Sequence, residues 1–339
     1  MPRYQHPFEN KPQKQKQKTS TPSAASLLST ATGEQSGGRQ ARHWGDWQKP
    51  KRMGIIAGEG ELPVVAAKNA IAAGIEVIPF TIDKNNASAL EHACGKKTVT
   101  MIPGMLSQNL AHLQAAEVSH LVFAGKVNKW ILLRDPRMDT LAIEAFRSVL
   151  RKTDDDVMLW LVSQLRDKGF EILPQSLFLT DLFAEEACLT KIAPQGQALA
   201  DIAYGFSIAR EMGRLDVGQT VVIKDGMLIA VEAIEGTDAC LKRSGLLISG
   251  QSRLPLPGLF KWKKSRGGVV VKVAKPDQDQ RFDVPTVGLR TLQTMRQAGL
   301  DTLATEANET LFLEKEAMIA YANRHKMVIV SVSHPGSEK

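Results

Sequence analysis

The chain has 339 residues, 43% of them apolar, a formal charge of +7 and three cysteines. That length and apolar content suffice for two well-packed domains or one large one, and the wide, odd-numbered spacing of Cys94, Cys188 and Cys240 excludes a disulfide framework or zinc pattern and fits a reducing compartment. The charge is local: residues 1–52 hold ten Lys/Arg and three Asp/Glu, while the other 33 basic and 33 acidic residues cancel, so the body of the chain shows no basic face for nucleic acid.

Residues 1–52 carry the repeat PQKQKQK and then a Ser/Thr/Ala/Gly segment almost free of large apolar side chains. Such a segment cannot offset the entropy of ordering its backbone and reads as a disordered basic tail. Ser23 to Ala31 is too polar and too broken by serines for a secretory signal. No window approaches the ~20 apolar residues of a spanning helix, so a cytoplasmic protein is expected.

From Met53 the pattern changes to α/β. MGIIAGEGELP predicts a buried strand and a glycine turn, followed by a helix over Val64 to Ala73 and a strand over Ile75 to Phe80, a βαβ start. Strands are predicted at Thr98 to Ile102 and His120 to Ala124, with a helix near Met105 to Glu117 between them, which together give a Rossmann-like layer. Two helices follow, Asp139 to Arg151 and one opening in TDDDVMLW, where Thr153 to Asp155 supply capping acceptors and Gly169 the stop. The aperiodic stretch around Pro174, Pro194 and Gly196 is the expected interdomain connection. The expected division is therefore a first domain over 53–185 and a second over 186–333.

The second half predicts a helix over Gln197 to Gly213 and a hairpin, Thr220 to Lys224 with Met227 to Glu232, turned by Asp225-Gly226. A strand over Gly268 to Ala274, a helix over Thr286 to Ala298 and a strand over Thr302 to Glu306 come next. A helix over Leu313 to Arg324 and a strand over Met327 to Ser331 complete a second α/β unit.

Four segments hold more polar residues than packing requires. Gly58-Glu59-Gly60-Glu61 could bring backbone N–H groups to a phosphate, although Pro63 stands where a full G-x-G-x-x-G needs its third glycine, and a tight turn is the alternative. In VEAIEGTDACLKR either Thr237 or Asp238 accounts for an N-cap. That leaves Glu232, Glu235, Lys242 and Arg243 bunched at one strand-to-helix turn, as a site for a cation and phosphates requires. In VVVKVAKPDQDQRFDVPTVG a strand ends in Lys272 and Lys275, and a loop stiffened by Pro276 and Pro285 carries Asp277, Asp279, Arg281 and Asp283. Carboxylates so spaced can converge on a hard divalent ion, with a solvated turn as the alternative. Helix capping accounts for Asp154 to Asp156, with a role in the site as the alternative. The seven histidines lack zinc-hydrolase spacing, and neither a G-x-S-x-G elbow nor a Walker motif occurs. Carboxylates, lysines and glycine turns remain, the set for phosphate chemistry with a divalent metal.

At these segments the sequence resembles the UDP-2,3-diacylglucosamine pyrophosphatases of lipid A biosynthesis, of the alphaproteobacterial type distinct from the calcineurin-like type. The resemblance runs from about Met53 to Ser331. It is carried by Leu215-Asp216-Val217-Gly218-Gln219, by Val231-Glu232-Ala233 through Glu235-Gly236-Thr237-Asp238 to Arg243, and by Lys275-Pro276, Gln278-Asp279, Arg281, Asp283, Pro285-Thr286 and Gly288. Ala124-Gly125-Lys126-Val127 and Asp154-Asp155 also match. The family's opening is glycine-rich with an Asp before Leu-Pro; here Glu59 and Glu61 stand at the middle glycine and the Asp.

The resemblance implies two α/β domains with a lipid substrate between them, a magnesium requirement with manganese as the alternative ion, and water attack on the pyrophosphate. Asp279 and Asp283, with Glu235 or Asp238, are the expected metal ligands, and Asp279 or Asp238 the expected base. Lys272, Lys275 and Arg281 are expected to stabilise phosphoryl charge. Gly58, Gly60, Glu61, Lys126, Thr237 and Gln278 complete the expected substrate contacts. A homo-oligomer is left open. The rival reading is a non-catalytic binder of a nucleotide sugar or phospholipid precursor.

A diacylated substrate requires access to the inner membrane. The basic tail would be drawn weakly to an anionic leaflet, each basic residue near the surface contributing about 1 kcal/mol; a merely solvated extension is the alternative. Pelleting with anionic liposomes at low salt is expected to weaken when residues 1–52 are removed, and equal binding rejects the anchor.

Overall fold

A computed structural model of the chain describes residues 48–126, 137–149, 154–249, 267–275, 279, 281 and 283–333, and only the backbone of 145–149 and 154–157. The predicted tail, apart from its last residues, and the capping side chains Thr153 to Asp155 lie outside the described residues.

The first sheet is parallel, with strands β1 (Arg52–Ala57), β2 (Glu76–Thr81), β3 (Val99–Thr100), β4 (His120–Ala124) and β5 (Glu171–Leu173) in the order β3-β2-β1-β4-β5. Helices cover both faces, which is why the strands read as continuous apolar runs. Met53, Ile55 and Ala57 of β1 enter one core with Val122 and Ala124 of β4. Ile56 enters the other with Phe80, Leu121 and Phe123. Helix Leu62–Ala72 buries Ala66, Ala67 and Ala70, small side chains that let it lie close to the sheet.

The predicted βαβ start and Rossmann-like order are borne out. A helix that periodicity misses, Lys84–Cys94, follows β2. It buries only Leu90 fully, packs Cys94 partly against the first core, and turns Lys84, Asn85, Ser88, Glu91 and His92 to solvent, so it has little apolar stripe to read. Its signals are local: Asp83 caps it by accepting from the Asn85 N–H at 3.1 Å, and Gly95 ends it with φ +63°. The segment expected to connect the two halves contains 3-10 turns over Gln175–Phe178 and Thr180–Leu182. Leu177, Phe178 and Leu179 there are buried in the first core, so this stretch packs as part of the body.

The second sheet has six strands. β9 (Val269–Lys272), β11 (Thr302–Glu306) and β13 (Val328–Val332) are mutually parallel; β6 (Ala187–Cys188) pairs antiparallel with β13, and β7 (Thr220–Lys224) with β9. β8 (Met227–Val231) closes the predicted hairpin on β7, with Asp225 at φ +50° and Gly226 at φ +76°, the two left-handed residues a tight hairpin turn demands. Helix Gln197–Arg214 covers one face. The helices Thr237–Ile248, Leu289–Gln297 and Lys315–His325 cover the other. The predicted helix from Thr286 begins later, because Thr286–Val287 forms a short strand, β10, beside β12 (Leu311–Phe312). Leu311 is buried in the first sheet's core, and Val284 packs against that core, so the strand pair and the loop before it join the two layers.

Candidate functional site

In an open parallel sheet, ligands bind beyond the carboxyl ends of the strands where the strand order reverses. Here that point lies between β1 and β4. The turn Gly58 to Glu61 leaves β1, and Gly125-Lys126 leaves β4. The two are tied together: Glu59 N–H donates to Lys126 O at 2.8 Å, and Lys126 N–H to Glu59 O at 2.9 Å. A Cβ on Gly58 would lie 2.5 Å from the Lys126 carbonyl oxygen, so the space beside Gly58 is filled by protein backbone. Gly60, at φ +92° with nothing within 4 Å of its Cβ position, is the open glycine. Glu59 takes part through its backbone, which is how a side chain is tolerated at the family's middle glycine. Glu61 begins helix Leu62–Ala72 and is exposed.

The second sheet brings Lys272 to the same place. Lys272 ends β9 opposite Thr220 and is buried, 7% exposed. Its Nζ donates to Thr237 Oγ1 at 3.1 Å, and Thr237 Oγ1 donates to Glu232 Oε1 at 2.8 Å. Glu232 is 8% exposed, and its other oxygen, Oε2, is buried without a hydrogen-bond partner among the described residues. Burial pushes the Lys272 ammonium down from its ordinary value; Glu232, then Asp283 and Asp238, pull it back up, and Lys126 lowers it. Lys126 of the first sheet and Glu232, Asp238 and Asp283 of the second therefore all act on one buried cation. Gly218, from the motif before β7, makes the approach of Glu232 feasible: a Cβ there would stand 2.1 Å from the Glu232 carbonyl oxygen.

The turn between β8 and helix Thr237–Ile248 is set by Arg243, whose Nη2 donates to Val231 O at 2.7 Å and to Glu235 Oε1 at 2.5 Å. Glu235 Oε2 accepts from the Ala233 N–H at 3.2 Å. Both oxygens of Glu235 thus shape the turn. The Arg243 hydrogen bond, more than any other cause, holds the Glu235 carboxyl below its ordinary range. Gly236, at φ +80° with open space beside it, leads into a helix without a side-chain cap. Asp238, in its first turn, pairs with the largely exposed Arg290 at 2.9 Å.

The loop after β9 is held from within. Arg281 Nε donates to Asp279 Oδ1 at 2.8 Å and Oδ2 at 3.0 Å, its Nη2 also meets Oδ2, and its N–H donates to Oδ1 at 3.0 Å. Burial raises the Asp279 carboxyl, but the Arg281 bonds outweigh it and hold the group below the ordinary range. Arg166, from helix Asp154–Asp167, adds to this across the layers. Lys275 is paired with Asp216 at 2.6 Å. Gln278 lies outside the described residues.

The structure thus gathers Lys126, Thr237, Asp238, Lys272 and Asp283 and adds Glu232, whereas Glu235, Asp279 and Lys275 are engaged by Arg243, Arg281 and Asp216. Among the described residues no three His, Cys, Asp or Glu stand close enough to form a metal cluster. The carboxylates that act on Lys272, those of Glu232, Asp238 and Asp283, have the chemistry a hard divalent ion prefers, although Asp238 is already paired with Arg290. Glu232, which the sequence places in the polar cluster of the turn after β8 but not among the expected metal ligands or substrate contacts, is the carboxylate nearest in effect to Lys272. Its signal there is a charged residue closing an apolar strand.

Residues 52–182 match the family model of the LpxI N-terminal domain, and residues 185–330 that of the LpxI C-terminal domain. A relative, the UDP-2,3-diacylglucosamine pyrophosphatase LpxI of Caulobacter vibrioides, is 31% identical over 290 residues, which cover 83% of this chain and 98% of the relative.

Asp279 supplies a pH test. Its folded pKa is depressed, so the stability it contributes is complete above the unfolded value of about 3.9 and is lost as pH falls through the folded value. Asp279→Asn is expected to lower the thermal midpoint at pH 7, with the gap to wild type narrowing below about pH 4. A gap that stays constant with pH would show the Arg281 pair to be neutral in stability.

Proposed function

The chain belongs to the LpxI family, and on that premise we propose that it hydrolyses the pyrophosphate bond of UDP-2,3-diacylglucosamine, giving 2,3-diacylglucosamine 1-phosphate and UMP in lipid A biosynthesis. The observation that carries this reading is the buried Lys272, held by Thr237 and Glu232 where the ends of both sheets meet.

Hydrolysis adds one water across the bridging P–O bond: a P–O bond forms to the water oxygen, the bridging bond breaks, and the water gives up a proton. The protein must hold an anion, stabilise charge on its phosphoryl oxygens and take that proton. Lys272 supplies a cation with little competing water, and Lys126 a second one from the first sheet. The Glu61 N–H and the uncapped start of helix Thr237–Ile248 offer backbone donors. Of the two expected bases, Asp279 is held on both oxygens by the part-buried Arg281, whereas Asp238 meets only the largely exposed Arg290, which favours Asp238 as the proton acceptor. Because no three carboxylates among the described residues form a ready cluster, a divalent ion, magnesium or manganese, would draw on Glu232 and Asp283 alone, leaving Asp238 to take the proton. When bound, that ion supplies charge neutralisation on the pyrophosphate. No described helix is long and apolar enough to cross a membrane; the lipid substrate would be met at the membrane surface, with the basic tail as a weak anchor.

The purified protein with UDP-2,3-diacylglucosamine and magnesium is expected to release UMP, and a chelator to stop it. Asp238→Asn should lower turnover about a hundredfold or more without changing the unfolding midpoint. Substrate binding without UMP release would instead establish the non-catalytic binder. Near-normal turnover in the variant would remove Asp238 as base.

A further inference from the structure

The first turn of helix Lys84–Cys94 lies against the glycine turn that follows β1. Asn86 donates from one nitrogen, Nδ2, to two carbonyl oxygens of that turn, Gly58 at 2.5 Å and Gly60 at 2.9 Å. Both partners are acceptors, so chemistry fixes which end of the amide faces them. The helix start carrying Asn86 is itself held: Asp83 accepts from the Asn85 N–H, and the buried Thr81 hydroxyl donates to Asp83 O at 2.7 Å.

A trans peptide points its N–H away from its C=O. The Gly58 carbonyl faces Asn86, and across the same peptide the Glu59 N–H reaches Lys126 O, on the side of the β1/β4 crevice. The Gly60 carbonyl also faces Asn86, so the Glu61 N–H is turned the opposite way, and it meets no acceptor among the described residues. Gly60 accommodates this with φ +92° and open space at its side, and no side chain caps the helix that begins after Glu61. One amide thus fixes the direction of two successive carbonyls and leaves a donor turned away from it.

We infer that Asn86 is a positioning residue for the hydrolysis: it holds the Gly58 to Glu61 turn so that the Glu61 N–H and the start of helix Leu62–Ala72 face the anionic pyrophosphate. The inference rests on the proposed activity for the identity of that anion. Asn86 touches no reacting atom; it acts through the backbone it pins. A donor preset in direction costs less to engage than one ordered on binding, so its loss is felt as weaker substrate capture.

The test compares wild type, Asn86→Ala and Asn86→Ser by UMP-release kinetics, titration with inorganic pyrophosphate and thermal unfolding. For Asn86→Ala, KM is expected to rise about tenfold or more with kcat within about threefold, pyrophosphate binding to weaken by a similar factor, and the unfolding midpoint to stay put. Asn86→Ser, which keeps a donor, should recover part of the loss. A merely structural residue gives a lowered unfolding midpoint with KM and pyrophosphate affinity unchanged; that result, or a fall in kcat alone with wild-type KM and pyrophosphate affinity, overturns the inference. If the wild type releases no UMP, the proposed activity fails and the pyrophosphate titration decides the role of Asn86: weaker binding by the alanine variant supports it, and equal binding or none overturns it.

Discussion

A buried ammonium is expensive, and this architecture places one, Lys272, at the end of a central strand. Its neighbours on the strand, Val269 to Val271, are buried apolar side chains, so the polar group is set against a hydrophobic sheet and must find partners at its edge. Thr237 and Glu232 supply them from the turn after β8, and Gly218 leaves room for that turn to come close. Arg243 then stiffens the turn through Val231 and Glu235. These contacts hold one positive charge in a poorly hydrated place, a cost with no structural return, because an apolar side chain would pack there as well or better.

The first layer contributes in a different currency, backbone direction. Its switch point between β1 and β4 offers the open Gly60, the bridge from Glu59 to Lys126 and a helix start without a side-chain cap. Hydrogen-bond donors without acceptors on one side and a cation with surplus donors on the other describe a receptor for an extended anion. Asp238, Asp283 and the unpaired oxygen of Glu232 set a negative rim around the same cation. A pyrophosphate with a divalent counter-ion satisfies both signs; a lone anion would leave the rim unbalanced.

The sequence makes the scaffold legible wherever burial imposes a period. The run Met53 to Ala57, the Asp225-Gly226 hairpin and the valines of β9 could hardly be read otherwise. Helix Lys84–Cys94 escapes because it buries so little, and Asn86 escapes with it. The site was legible in outline, since its charged residues cluster in two short segments. Pairing is what a string of residues withholds. Asp279 and Arg281 stand two apart and satisfy each other, while Glu235 and Arg243 meet across a helix turn, so two residues read as metal ligands serve as braces. Glu232, written as the polar end of a strand, holds the unpaired oxygen. These distinctions depend on which carboxylate finds a guanidinium first, a matter of three-dimensional reach.

If Lys272 is present for function, removing its charge should leave the fold intact and disable capture of the anion. Lys272→Met keeps the length of the side chain and removes the ammonium. The decisive measurement is the kcat/KM for UMP release by this variant, taken beside its thermal unfolding midpoint. The account predicts kcat/KM per folded molecule lowered about a hundredfold or more, with any drop in midpoint, caused by the buried Glu232 charge left without its cation, relieved by adding Glu232→Gln. Wild-type kcat/KM, or a lowered midpoint with turnover per folded molecule preserved, would contradict it.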